Sequence, residues 1–367
     1  MALVFSVFSL CFSLTVYAQQ TDHEDEVHKE GIKKQEENKF DAKEVIFGHV
    51  LDAHEFHFFS YKGKDGHEHH ATIPLPVILY SPQKGLSVFS SSRFEHGHAS
   101  YNGYKLAGND IVPVDKNVKV YDFSLTRNVV QMFIALALLV LIMSSIAKKY
   151  RSGKGVTSAP SGFQNAIEPV ITFVRDEVAR PNLGHSYRKY MPYLLTVFFF
   201  ILINNIFGLI PGTANVTGNI AFTLVLGVIS FIIILISSNK HFWGHIFNPP
   251  VPVLVKPILV LVEFLSIFTK PFSLIIRLFA NMLAGHIIII CLISLIFIFG
   301  GLSRGVGWGF SPISIAFTVF IYFIEILVAF LQAYIFTNLT AVFIGQSMEG
   351  SHHEEDGHQA PTEPAII

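Results

Sequence analysis

Arg277 stands inside an apolar run, PFSLIIRLFANMLAGHIIII, with Ile276 before it and Leu278 after it. Carrying a guanidinium into hydrocarbon costs at least about 2.5–3.5 kcal/mol on insertion scales, so a compensating interaction is expected. One reading is an arginine that snorkels to the interface, since Lys270 and Pro271 come only two turns earlier. The other is a charge kept for function. On an ideal helix Asn281 and Ala284, four and seven residues on, share the stripe of Arg277. A charge, an amide and a small residue in one stripe invite close approach by another helix.

His286, nine residues after Arg277, falls on the opposite side of that ideal helix and needs a polar partner there. The last apolar segment offers Glu325 and, seven residues later on the same face, Gln332. If the two helices cross, His286 and Glu325 can pair; a histidine and a carboxylate at membrane depth favour proton handling over simple core packing, because imidazole exchanges protons near neutral pH. Glu263, fourteen residues before Arg277, either lines a path to the cytoplasm or is an interfacial carboxylate in water. Asn204, Asn205 and Asn215 either orient water or cap a helix.

These residues need a membrane around them. Of 367 residues 51% are hydrophobic and 14% charged, in long apolar blocks that no soluble core would cover. A net charge of -1 gives no basic surface for nucleic acid. Cys11 and Cys291 are too few and too far apart for a disulfide framework or a thiolate metal site. No GxxxxGK[ST] nucleotide loop is present, and no cofactor is expected.

Residues 1–18 read as a signal peptide ending at Val16-Tyr17-Ala18, with an uncleaved anchor as the alternative, since the usual basic start is missing. Residues 19–124 form an exported domain with short alternating runs such as ATIPLPVILY, which predict β structure, and it carries ten of the seventeen histidines. His54, His57, His67, His69 and His70 raise metal binding, but without Cys or a clear acidic ligand set the solvated reading is stronger. The membrane domain, 125–345, is all-α: spans over 128–147, 191–210, 219–238, 272–299 and 312–345, plus a short in-plane helix over ILVLVEFLSIFT, which is too short to cross. The loop after the first span carries eight Lys and Arg as far as Lys189, which places it inside. Parity then puts the tail, 346–367, in the cytoplasm.

The segments ITFVRDEVARPNLG, KPFSLIIRLFANMLAGH and EILVAFLQAYIFTNLTAVFIG resemble subunit a of F-type ATP synthases, and the likeness runs from about Ser124 to Gly345. The resemblance implies a non-catalytic, proton-translocating stator subunit of the inner membrane, with its N-terminal domain periplasmic. It implies two long tilted helices facing a rotor ring of c subunits, with subunit b and the remaining synthase subunits as further partners. It also implies that Arg277 separates two half-channels, that Asn281, His286, Glu325 and Gln332 line the outward one, and that Glu263 lies on the cytoplasmic one. Many bacterial members carry Glu where this chain has His286 and His where it has Glu325, so the pair is exchanged but complete. No acidic residue stands around Gly208, which leaves the outer entry route less defined. Two other classes compete: a self-contained ion transporter or channel, and a metal-sensing envelope protein acting through the exported histidines.

Overall fold

The computed structural model describes residues 52–62, 68–97, 99–108, 110–115, 118–153, 162–210, 213–249, 251–252 and 254–348. The segment expected to be a signal peptide, His67 and nearly all of the C-terminal tail lie outside the described residues, as do the side chains of His57, His69 and His70.

The N-terminal part is built of small antiparallel sheets, as the alternating runs predict. Strands β1 (Glu55–Lys62) and β2 (Glu68–Pro74) pair with each other. β3 (Pro76–Ser81) lies between β4 (Gly85–Ser90) and β8 (Tyr121–Asp122), and β5 (Ser100–Tyr101), β6 (Tyr104–Ala107) and β7 (Asp110–Pro113) form a third sheet. The β5–β6 turn is Asn102-Gly103, at φ 53° and 78°, the pair of positive angles that a tight twisted hairpin demands. Val77, Leu79, Phe94, Tyr104 and Ile111 make its core.

Five candidate membrane spans follow. Helix α1 is Arg127–Arg151, with Lys148, Lys149 and Arg151 in its last turn. α2 (Phe163–Phe173) continues through a π turn, Val174–Ala179, and one further turn, Arg180–Leu183. Pro181 has no N–H for the carbonyl of Glu177 and its ring crowds that carbonyl, and the wider π turn accommodates both. Gly184 at φ 51° then redirects the chain into α3 (Tyr187–Leu209). α4 (Ile220–Ser237) is capped by Asn219, whose side chain accepts from Ala221 N. A short α5 (Lys240–Phe247) leads to α6 (Lys256–Leu302) and α7 (Arg304–Met348), which pack against each other.

One expectation is corrected here. ILVLVEFLSIFT is not a separate short helix but the first part of α6, whose 47 residues run unbroken through Pro271. That is about 70 Å at 1.5 Å per residue, against a hydrocarbon layer of about 30 Å. A proline within a helix removes one hydrogen bond, and neighbouring helices can hold the course of a membrane helix across that gap; Pro271 is itself buried in the bundle. The segment expected to stand alone is therefore continuous with the arginine helix.

The core joins all five spans. On α6 it takes Leu274, Leu278 and Met282, spaced four apart; on α7 the positions Ala329, Ala333, Thr337 and Ala341, also four apart, are buried and small. Small residues at that spacing let helix backbones close up.

Candidate functional site

Arg277 is half-buried on α6, beside the face that Leu274 and Leu278 turn to the core. Among the described residues it makes no hydrogen bond or ion pair. Asn281, one turn on, donates from Nδ2 to Gln332 Oε1 of α7 at 2.9 Å. Gln332 is buried, at 2% exposure, so this bond fixes an amide that has little water available. The structure thus joins Asn281 to Gln332, one turn along α6 from Arg277.

Glu325 is buried on α7, and its carboxylate bears on Gly285: a Cβ added there would overlap Glu325 Oε1. Gly285 immediately precedes His286, which is half-buried. The two titratable groups therefore stand at one level of the α6–α7 contact. The sequence singled out His286 and Glu325 but not the glycine that admits the carboxylate. Glu263 is half-buried on α6 and stays apart from this cluster, about 21 Å along the axis from Arg277.

The asparagines of α3 and its exit do more than cap. Asn205 Nδ2 donates to Ala329 O of α7 at 3.0 Å, and Asn204 Nδ2 to Phe200 O at 2.8 Å. Both residues are fully buried, and Asn204 Oδ1 and Asn205 Oδ1 accept no hydrogen bond from a described residue. Asn215 accepts from Gly218 N at 3.0 Å and donates to Met282 O of α6 at 3.0 Å. Gly208, with no side chain of its own, leaves room for that amide, 3.2 Å from the place a Cβ would take.

Gln131 of α1 was missed by sequence reading. Its side chain holds the backbone of Ala214 at both ends, donating to Ala214 O at 2.5 Å and accepting from Ala214 N at 2.8 Å. A glutamine in an otherwise apolar span was the available signal. Asn182 was missed too: it donates to Asn338 Oδ1 of α7 at 2.9 Å, tying the turn after α2 to the last helix.

In the N-terminal sheets His54 is buried, and its Nε2–H donates to Asp122 Oδ2 at 2.9 Å. Burial by itself would push the Asp122 carboxyl up, but hydrogen bonds from His54 and Ser124 outweigh it and hold the group below the ordinary aspartate value. His54 thus pins a strand. No group of three or more potential metal ligands occurs among the described residues.

Comparison with known proteins bears on the same segments. The profile of the ATP synthase A chain family matches residues 129–345. A domain of unknown function (DUF8433) matches residues 45–131. The chain is similar to ATP synthase subunit a of Chloroherpeton thalassium, 46% identical over 243 residues, covering 65% of this chain and 71% of that one. It is 40% identical over 288 residues to ATP synthase subunit a of Chlorobium phaeobacteroides strain DSM 266, covering 72% and 82%. Subunit a of Myxococcus xanthus is 39% identical over 247 residues, covering 65% and 78%. With more than half of its length in the family match and its polar site within that stretch, the chain belongs to the ATP synthase subunit a family and is the proton-conducting, non-catalytic stator of the Fo sector.

Proposed function

We propose that Arg277 is the fixed charge dividing two aqueous half-channels, and that its counter-charge is a carboxylate on a ring of c subunits moving past α6 and α7. The observation that carries this reading is the arginine itself, half-buried at membrane depth and without an ion pair among the described residues. A guanidinium so placed needs an anion, and another chain can bring one. Arginine stays charged at any working pH, so it holds a passing carboxylate ionised and stops protons crossing directly from one half-channel to the other.

Asn281, Gln332, His286 and Glu325 line the outward half-channel. Asn205 is added to them, because its Nδ2 donates to Ala329 O, between Glu325 and Gln332 on α7, while its buried Oδ1 has no hydrogen-bond partner among the described residues. Glu263 serves the cytoplasmic half-channel. The basic residues that end α1 lie in the cytoplasm by the positive-inside rule, which puts the sheet domain in the periplasm and the C-terminus inside. The residues before position 19 act as the export signal, and subunit b holds this chain against the ring. Each charge moved through 100 mV gains about 2.3 kcal/mol, so coupling depends on the absence of slip.

ATP-driven proton pumping in inverted membrane vesicles tests the reading, with Arg277→Ala compared to the native complex at equal assembly. Loss of pumping together with a raised passive proton leak is expected. Pumping at the native rate would reject the barrier role.

A further inference from the structure

Lys270 lies on α6 seven residues before Arg277, and Glu263 lies seven before it. At 3.6 residues per turn the three charges fall on one stripe, each about 10 Å from the next along the axis. The lysine is held in that stripe by α7. Its Nζ donates to Gln346 Oε1 at 3.0 Å and stands 5.4 Å from the ring centroid of Phe343. A lysine free to extend into water has its field screened, whereas one anchored by an amide and an aromatic face keeps its charge in place.

The groups packed around it are neutral. α4 contributes Phe231 and Ile234 to the small cavity at Lys270, α5 contributes Phe242, and α7 contributes Phe343 and Gln346. α5 also carries Lys240 and His241, which do not line that cavity. Of the charges on its own helix, Glu263 and Arg277 flank Lys270 on that face, and Lys256 lies seven residues before Glu263 at the start of α6, where its Nζ donates to Asn248 Oδ1.

We infer that Lys270 is a positioning residue for proton exchange on the cytoplasmic side of Arg277: a second fixed positive charge that favours the ionised form of a ring carboxylate there. The carboxylic acid gives its proton to water of the cytoplasmic half-channel, and the carboxylate left behind is stabilised by the field of Lys270 before it meets Arg277. The inference rests on the reading that a ring carboxylate passes Arg277. At about 10 Å and an effective dielectric near 20, one charge lowers a carboxylate pKa by about one unit.

The test uses inverted vesicles carrying the whole complex, with bath pH varied at fixed internal pH and pumping normalised to ATP hydrolysis. Protons are then collected from the side that Lys270 faces, and pumping falls at alkaline pH when the carboxylate can no longer be protonated. Lys270→Gln should move that alkaline limb up by about one pH unit, and Lys270→Arg should leave it in place. Gln346→Glu sets an anion where the present hydrogen bond ends. It tightens the clamp while cancelling the charge, so it too should move the limb upward, an effect that a merely structural clamp would not produce. Lower amplitude with an unshifted limb in both Lys270→Gln and Gln346→Glu overturns the inference, as does a shift that follows internal rather than bath pH. Arg277→Ala in the same vesicles separates the two levels. If it pumps normally, the half-channel reading itself falls; if it leaks while the limb stays unshifted in the Lys270 and Gln346 variants, only the lysine inference falls.

Discussion

The carboxylate of Glu325 reaches the α6–α7 contact because residue 285 is glycine. A methyl group at that position would overlap Glu325 Oε1 and force the carboxylate off its present place against Gly285. Proton transfer depends steeply on such placement, and displacements of about 1 Å are enough to cost one to two orders of magnitude. Gly285→Ala is therefore expected to reduce ATP-driven pumping on the order of tenfold. Passive leak should stay at the native level, since Arg277 is untouched. Measuring both in one vesicle preparation checks this; a raised leak would mean that the glycine supports the barrier and not the outward half-channel. Asn215 shows the same dependence on small neighbours, since its amide fits beside Gly208 and reaches Met282 O only because neither Gly208 nor Gly218 carries a side chain.

At the scale of elements, the course of α6 is set by what packs against it. Gly227 of α4 receives the side chain of Ile275: a Cβ at Gly227 would come within 2.6 Å of Ile275 Cδ1. Overpacking a filled contact usually costs about 1–3 kcal/mol. Gly227→Ala should lower the midpoint of thermal unfolding of the purified complex, and Ile275→Ala, which removes both overlapping carbons, should cost less in its presence than alone, as residues in direct contact do in a double-mutant cycle. Additive effects of the two substitutions would show that α4 does not set the position of α6. The same contact helps to explain why Pro271 does not break the helix, because Ile275 stands one turn beyond the proline and is buried, as is Leu274.

Over the whole molecule, the sheet domain is fastened to the membrane bundle through the start of α1. Asp52 Oδ1 accepts from Asn128 N at 3.3 Å, and Arg127 N donates to Ala53 O at 3.0 Å. Thr126, the residue at the N-cap of α1, provides no side-chain cap, so Asp52 supplies one from far along the chain. Gln131 then links α1 to Ala214, and Asn215 links the α3–α4 connection to α6. The His54–Asp122 pair belongs to this attachment. Because the Asp122 carboxyl titrates below its ordinary value in the fold, it contributes stability above the unfolded value and loses it as pH falls through the folded one. The attachment should therefore resist limited proteolysis from neutral pH down to about pH 5 and weaken below about pH 4. Asp122→Asn should remove that acid dependence in pepsin digestion of the full complex. An unchanged acid profile in the variant would place the sensitive group elsewhere.

The sequence by itself determined that there are five apolar spans and which ionisable residues lie within them. Apolar blocks of bilayer length leave no solvent for them but lipid, and an arginine, a glutamate and a histidine inside such blocks stand out because their insertion is so unfavourable. The stripe of Arg277 and Asn281 was legible for a simple reason, that helical periodicity places residues four apart on one face. Tertiary structure decided the rest. Whether a proline ends a membrane helix or only bends it depends on neighbours far along the chain, so the continuity of α6 through Pro271 could not be read locally. Likewise Gln332 became the partner of Asn281, and Gly285 the seat of Glu325, only when α6 and α7 packed together. Periodicity reports which face of a helix is special, but the residue that meets it is chosen by the crossing of two helices, which no single helix encodes.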